Sequence, residues 1–97
     1  MIDHRFLPEA LAEYEDAASW YGPDGGLRFI AAVEHAIDEV CTLPLTWPTW
    51  FGVDDLRRRV VPRFPYSIIY VVEPTAVLIV AVAHHSRRPG YWLARSR

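Results

Sequence analysis

LRRRVVPRFPYSIIYVVEPTAVLIVAVAHHSRRPGYW, residues 56–92, carries the longest apolar runs of the chain, six of its ten arginines and its two adjacent histidines. Within it, residues 66–72 and 76–83 are rich in β-branched and aromatic side chains, and only Glu73-Pro74-Thr75 separates them. That spacing predicts a hairpin and therefore an antiparallel pair. Residues 76–83 (AVLIVAVA) contain no polar side chain, so the run cannot offer a face to water and reads as a strand covered on both sides. A helix of that composition is possible, but the flanking turn signals and the length favour a strand. Residues 56–61 make a third candidate strand. Its alternation sets Arg58 on the face of Leu56 and Val60, and Arg57 and Arg59 on the other. The joining Pro62-Arg63-Phe64-Pro65 is not central sheet, because each proline removes a ladder donor.

Working outward, the N-terminal half reads as support. Ile2, His4 and Phe6 alternate with Asp3 and Arg5, a short strand signal. Pro8 stands at a first helical position with Glu9 following in the first turn, and the helix is expected to run to about Tyr21. Leu11, Tyr14, Ala18 and Tyr21 form its apolar stripe, while Glu9, Glu13, Glu15 and Asp16 read as a solvated face. Gly22-Pro23-Asp24-Gly25-Gly26 stops it, and a second helix is expected from about residues 25–27 until before Pro44, with Phe29, Ile30, Val33, Ala36, Ile37 and Val40 inward. Two amphipathic helices with a tight connection form an antiparallel hairpin that covers one face of a sheet. The fold expected is α+β, a four-stranded antiparallel sheet on an N-terminal helical hairpin, in the order β-α-α-β-β-β with a short C-terminal segment.

At 97 residues the chain is expected to be one domain, residues 1–97. With 52% apolar and 23% charged residues it is neither a disordered tail nor a coiled coil. The lone Cys41 excludes an internal disulfide and a cysteine-based zinc cage, and its place in an apolar helical pattern makes it a packed hydrophobe. Neither a signal peptide nor a membrane-spanning run is recognisable, so a cytoplasmic location without membrane contact is expected. Adjacent His84 and His85 on a strand point to opposite faces, so no metal site is expected, and no cofactor.

The net charge of −2 hides a division. Residues 1–56 hold eleven acids and two arginines, whereas residues 57–97 hold eight arginines and one acid, Glu73. A basic half of this kind suits a polyanion or an acidic protein segment. All the basic residues are arginines, which clamp phosphate but do not release a proton near neutral pH. Residues 43–55 read as a loop bearing Trp47, Trp50 and Phe51, aromatics that need a partner in either the second face of the sheet or another chain.

Together, the element order, the arginines beginning at Arg57, the Phe64-Pro65-Tyr66 start of a hydrophobic strand, and the run from His84 to Trp92 resemble the RelE/ParE superfamily of toxins from bacterial type II toxin-antitoxin operons. The His-x-x-Arg spacing in that run fits His84 with Arg87 or His85 with Arg88. The resemblance covers nearly the whole chain and implies a toxin paired with a cognate antitoxin in a hetero-oligomer, acting on one of two targets. RelE-like members cut ribosome-bound mRNA. For a metal-independent endoribonuclease of that kind the candidates are His84, His85 and Tyr91 for proton transfer and Arg87 and Arg88 for charge. ParE-like members poison DNA gyrase by contact and need no catalytic set. Ser67, where RelE-like nucleases tend to have a basic residue, and the absence of lysine favour this ParE-like branch. Target or antitoxin contacts would then come from Arg57, Arg58, Arg59, Arg63, Trp47, Trp50, Tyr91 and Trp92.

Overall fold

The computed structural model describes residues 1–50 and 53–95; Phe51, read above as a loop aromatic, lies outside them. The elements are β1 (Asp3–Phe6), α1 (Pro8–Trp20), α2 (Gly22–Thr42), β2 (Thr49–Trp50), β3 (Val53–Val60), β4 (Tyr66–Val72) and β5 (Ala76–His84). Among the described residues they build one five-stranded sheet in the order β1-β5-β4-β3-β2.

Four antiparallel strands were expected, and the sheet corrects this in two ways. The segment expected as loop contributes the two-residue β2 and the start of β3, and β1 lies parallel to β5, pairing Asp3 with Ala76 through Phe6 with Ile79. The long crossover permits parallel pairing: the whole helical hairpin and the three strands β2 to β4 intervene between the two partners. The β3-β4-β5 meander is antiparallel, as its short connections require. In β4 and β5, residues 67–71 and 77–83 are buried without interruption, which is what a strand covered on both faces needs.

The helices meet without a loop. Tyr21 closes α1 and opens α2, and Gly22 follows at φ +78°, a left-handed conformation open to glycine at little cost. Pro23 is therefore inside the first turn of α2, where its missing N–H is harmless, and α2 begins three to five residues earlier than the glycine run implied. Along α2, Phe29, Val33, Ala36, Ile37 and Val40 are buried as expected, joined by Gly26 and Cys41. Of the stripe expected for α1, Tyr14, Ala18 and Tyr21 pack partly buried against the core but Leu11 is 41% exposed, and the fully buried line runs through Ala10 and Ala17. Small side chains let α1 lie close to the sheet, and the larger leucine is turned outward.

A second departure from easy backbone geometry occurs between β3 and β4. Phe64 N–H reaches back to the Val61 carbonyl, and Arg63 stands at φ +70° after Pro62. Proline followed by a residue of positive φ is the arrangement of a type II turn, whose second central position favours glycine. Arginine in that place costs about 1–2 kcal/mol relative to glycine.

Gly26 gives the first prediction. A Cβ built there would lie 2.6 Å from the Ala18 carbonyl oxygen, a backbone atom that cannot move aside. Gly26→Ala should lower stability by about 1–3 kcal/mol even though alanine is the better helix former by about 1 kcal/mol. Thermal denaturation of the variant checks the sign; a gain in melting temperature would mean that the two helices separate freely at this crossing.

Candidate interaction site

The arginines of β3 alternate as read from the sequence, and the alternation decides what each can do. Arg57 and Arg59 face the helix side. Arg57 donates to the carbonyls of Trp47 (2.7 Å) and Leu45 (3.4 Å), while Arg59 pairs with Glu39 of α2 at 2.7 Å and lies over the Trp47 ring. Its hydrogen bond holds the Glu39 carboxyl below the usual carboxylate range against a smaller opposing effect of burial. Tyr70 adds a third tie on this side, donating its hydroxyl to the Pro44 carbonyl, and burial pushes its pKa up to about 12. The 43–48 segment is thus fastened to the sheet by Arg57 and Tyr70, and Trp47 is packed against the protein's own core.

Arg58 points to the other face. Its Nε donates to Ser67 Oγ at 3.0 Å, and its guanidinium lies 4.4 Å above the Trp50 ring. Ser67 is fully buried, and its Oγ is also 2.8 Å from His85 Nε2. With Oγ accepting from Arg58, the hydroxyl proton is available to His85 Nε2, an arrangement that uses the neutral imidazole with Nε2 as acceptor. Burial, and after it the Arg58 charge, lower the His85 pKa in agreement with that assignment. Trp92, also buried, lies against Trp50 with ring centroids 5.1 Å apart. Arg58, Ser67, His85, Trp50 and Trp92 together cover the sheet face that the helices leave open.

His84 belongs to the opposite side of β5 from His85: it packs edge-on against Tyr66, 4.9 Å between centroids, and its Nδ1 accepts the Ser86 N–H. The two candidate histidines are not brought together. Arg87 lies over the Tyr91 ring at 4.0 Å. Arg88 and Arg63 are exposed and make no ion pair or hydrogen bond among the described residues.

Glu13, expected on a solvated face, is instead the centre of the C-terminal half of the site. β1 stops pairing at Ile79, so the outer edge of β5 from Val80 onward lacks a neighbouring strand. Glu13 Oε1 accepts the Val82 N–H at 3.1 Å, and Arg95 donates to the Val80 carbonyl at 2.9 Å. Arg95 also binds both oxygens of Glu13 at 2.9 Å, and the Tyr91 hydroxyl donates to Oε2. Burial raises the Glu13 carboxyl pKa, but the bonds from Arg95, Tyr91 and Val82 outweigh it and leave a net lowering. Burial and the adjacent carboxylate raise the Tyr91 pKa strongly. A signal for Glu13 exists in the sequence: it stands three residues after Ala10 and four before Ala17, on the helix line that proves to be buried. Among the described residues no group of three or more histidine, cysteine or acidic side chains is placed to hold a metal, and no helix is long and apolar enough to cross a membrane.

A helical hairpin on a mixed sheet, with Arg57, Arg58, Arg59, Arg95, His84, His85 and Tyr91 engaged in contacts within the chain, defines a small α+β domain. Residues 5–89 match the family described as the ParE toxin of type II toxin-antitoxin systems, parDE, and the chain belongs to that family. Among solved structures it is similar to a chain of the chromosomal ParDE toxin-antitoxin system from P. aeruginosa, with a TM-score of 0.74 and 16% identity over 87% of this chain and 96% of that one. No curated protein matches it in sequence.

Two predictions test these contacts. Glu13→Gln leaves Arg95 largely buried (14% exposed) without a counter-charge, so stability should fall by about 2–3 kcal/mol, somewhat less than the ~3–5 kcal/mol of a fully buried pair. Since the folded Glu13 carboxyl titrates below its unfolded value, its contribution is complete above the unfolded pKa and is lost as pH falls through the folded one. The variant's acid unfolding curve should therefore be flatter below about pH 4; an unchanged curve would remove Glu13 from this role.

At His85 the fold favours the neutral form, and the pH dependence has the same sign. Its folded pKa is below the unfolded value, so stability rises with pH between the two and levels off above about pH 6.5. His85→Gln should abolish that rise in denaturation midpoints measured from pH 5 to 7.5. A slope that persists unaltered would place the titrating group elsewhere.

Proposed function

We propose that the chain is the toxin of a type II toxin-antitoxin module that inhibits growth by protein contact, with DNA gyrase as candidate target, and is neutralised by a cognate antitoxin. The observation that carries the contact mode is that each of the three candidate proton carriers is hydrogen-bonded within the chain and to a different partner: His84 with Ser86, His85 with Ser67, and Tyr91 with Glu13. A ribonuclease needs an acid and a base converging on one phosphate. Here the two histidines lie on opposite sides of β5, and the raised pKa of Tyr91 makes it a poor source or sink of protons. The family relation supports the toxin role and the antitoxin partner.

Induced expression should arrest growth, and the purified protein should inhibit DNA supercoiling by gyrase while leaving ribosome-bound mRNA intact in toe-printing. The result that would overturn the contact reading is codon-positioned mRNA cleavage that drops about 100- to 10,000-fold in His84→Ala or His85→Ala, as loss of a general acid or base requires.

A further inference from the structure

β5 runs to His84 while its neighbour β1 stops pairing at Ile79, so among the described residues no strand lies beside the outer edge from Val80 to His84. We infer that this edge is an interaction surface held shut by the segment that follows β5, and that its partner, once Arg95 lets go, is the same edge of a second copy of this chain.

The backbone is set for such a pair. On the β4 side, Ile69 is opposite Ala81 and Tyr70 is opposite Ile79, which leaves Val80 as the extra residue of a bulge. Beyond it the directions alternate: the His85 N–H goes to the Pro65 carbonyl on the β4 side, so Val82 and His84 turn their amides outward. Two such edges placed antiparallel about a two-fold axis at Val82 would exchange N–H and carbonyl between the two Val82 residues, and each His84 N–H would meet the Val80 carbonyl of the other copy. The His84 carbonyl is not needed there, as it accepts the Arg87 N–H in the turn that follows.

The latch sits on the same atoms. Glu13 Oε1 takes the Val82 N–H and Arg95 donates to the Val80 carbonyl, while Arg95 and Tyr91 hold the carboxylate in place. Side chains from α1 and from the segment after β5 thus stand where a second copy would bring a strand. Arg95 lies beyond Trp92 in sequence, so it can leave the edge while Trp92 stays packed against Trp50. The choice of partner follows from the edge itself. Val80, Ala81, Val82 and Ala83 carry neither a charge nor a proline, the devices that keep exposed strands from pairing with their copies. An edge whose donors and acceptors match themselves under a two-fold axis fits a like chain.

Sedimentation velocity over a concentration series compares the wild-type chain with two variants. Arg95→Lys keeps a counter-charge for Glu13 but loses the planar fork that reaches carboxylate and carbonyl together, and Glu13→Ala/Arg95→Ala removes both charges and so leaves neither one unpaired. Melting curves verify folding, and Arg95→Lys alone decides should the double variant unfold. The wild type should stay monomeric. Both variants should dimerise as concentration rises, with the Val82 and His84 amides exchanging hydrogen several-fold more slowly in the dimer than in the dilute monomer. Register is read by adding Val82→Cys to the double variant: facing residues about 5.5 Å apart are within disulfide reach, so oxidation should give a covalent dimer, whereas Thr49→Cys on β2, at the far edge of the sheet, should not. Folded variants that remain monomeric throughout, or a disulfide that forms from Thr49→Cys and not from Val82→Cys, would overturn the inference.

Discussion

The open edge of β5 is the constraint on which the rest of this structure depends. β1 reaches only as far as Ile79, and beyond it the most apolar strand of the chain would expose an N–H and a carbonyl at an unpartnered edge. Such an edge invites pairing with other chains. A strand is replaced here by two side chains of opposite charge, Glu13 taking the Val82 N–H and Arg95 the Val80 carbonyl, each neutralising the other. Carboxylate and guanidinium bring complementary acceptors and donors, so the pair satisfies both kinds of edge group and itself. Through Arg95 and Tyr91 it also pins the residues that follow β5, which brings Trp92 onto the open sheet face.

From that anchoring comes the second layer of the sheet's protection. The helices cover only one face, and the other must bury Ile69, Leu78 and Ala81 by different means. Trp50 and Trp92 supply area, while Arg58, Ser67 and His85 form a polar chain in which every hydrogen bond has a defined direction. The neutral form of His85 is the one favoured here, because burial and the nearby Arg58 charge both disfavour a second cation beside Ser67. Packing of this face and proton occupancy of one imidazole are therefore linked.

Much of the fold was legible because its signals are local. The polar-free run of β5, the prolines at 62 and 65, and the three-residue connection at 73–75 define the meander without reference to anything distant, and the period of Phe29, Val33, Ala36, Ile37 and Val40 does the same for α2. Parallel pairing of β1 was not legible, since no residue in a four-residue alternating segment states which edge it joins or in which direction. Glu13 was missed for a related reason. A carboxylate among three others on a helix looks solvated until the partner, 82 residues further along the chain, is known. The arginines of β3 were placed on the right faces by alternation, but their engagement with Glu39, Trp47 and Ser67 depends on tertiary contacts that alternation does not contain.

A basic half-chain, read from charge counts, looks like a surface waiting for an anion. The structure divides those arginines into two populations with different consequences. Arg57, Arg58, Arg59 and Arg95 fasten loops, sheet faces and the chain's end, so their charge is already answered by carbonyls, carboxylates and aromatic rings. Arg28, Arg63 and Arg88 remain toward solvent, and two of these flank the same apolar trough although they come from opposite halves of the sequence. Fold alone does not select between catalysis and contact. In this chain His85 and Tyr91 are hydrogen-bonded to Ser67 and Glu13, whereas the guanidiniums of Arg28, Arg63 and Arg88 have no ion pair or hydrogen bond among the described residues, and a guanidinium binds but does not titrate.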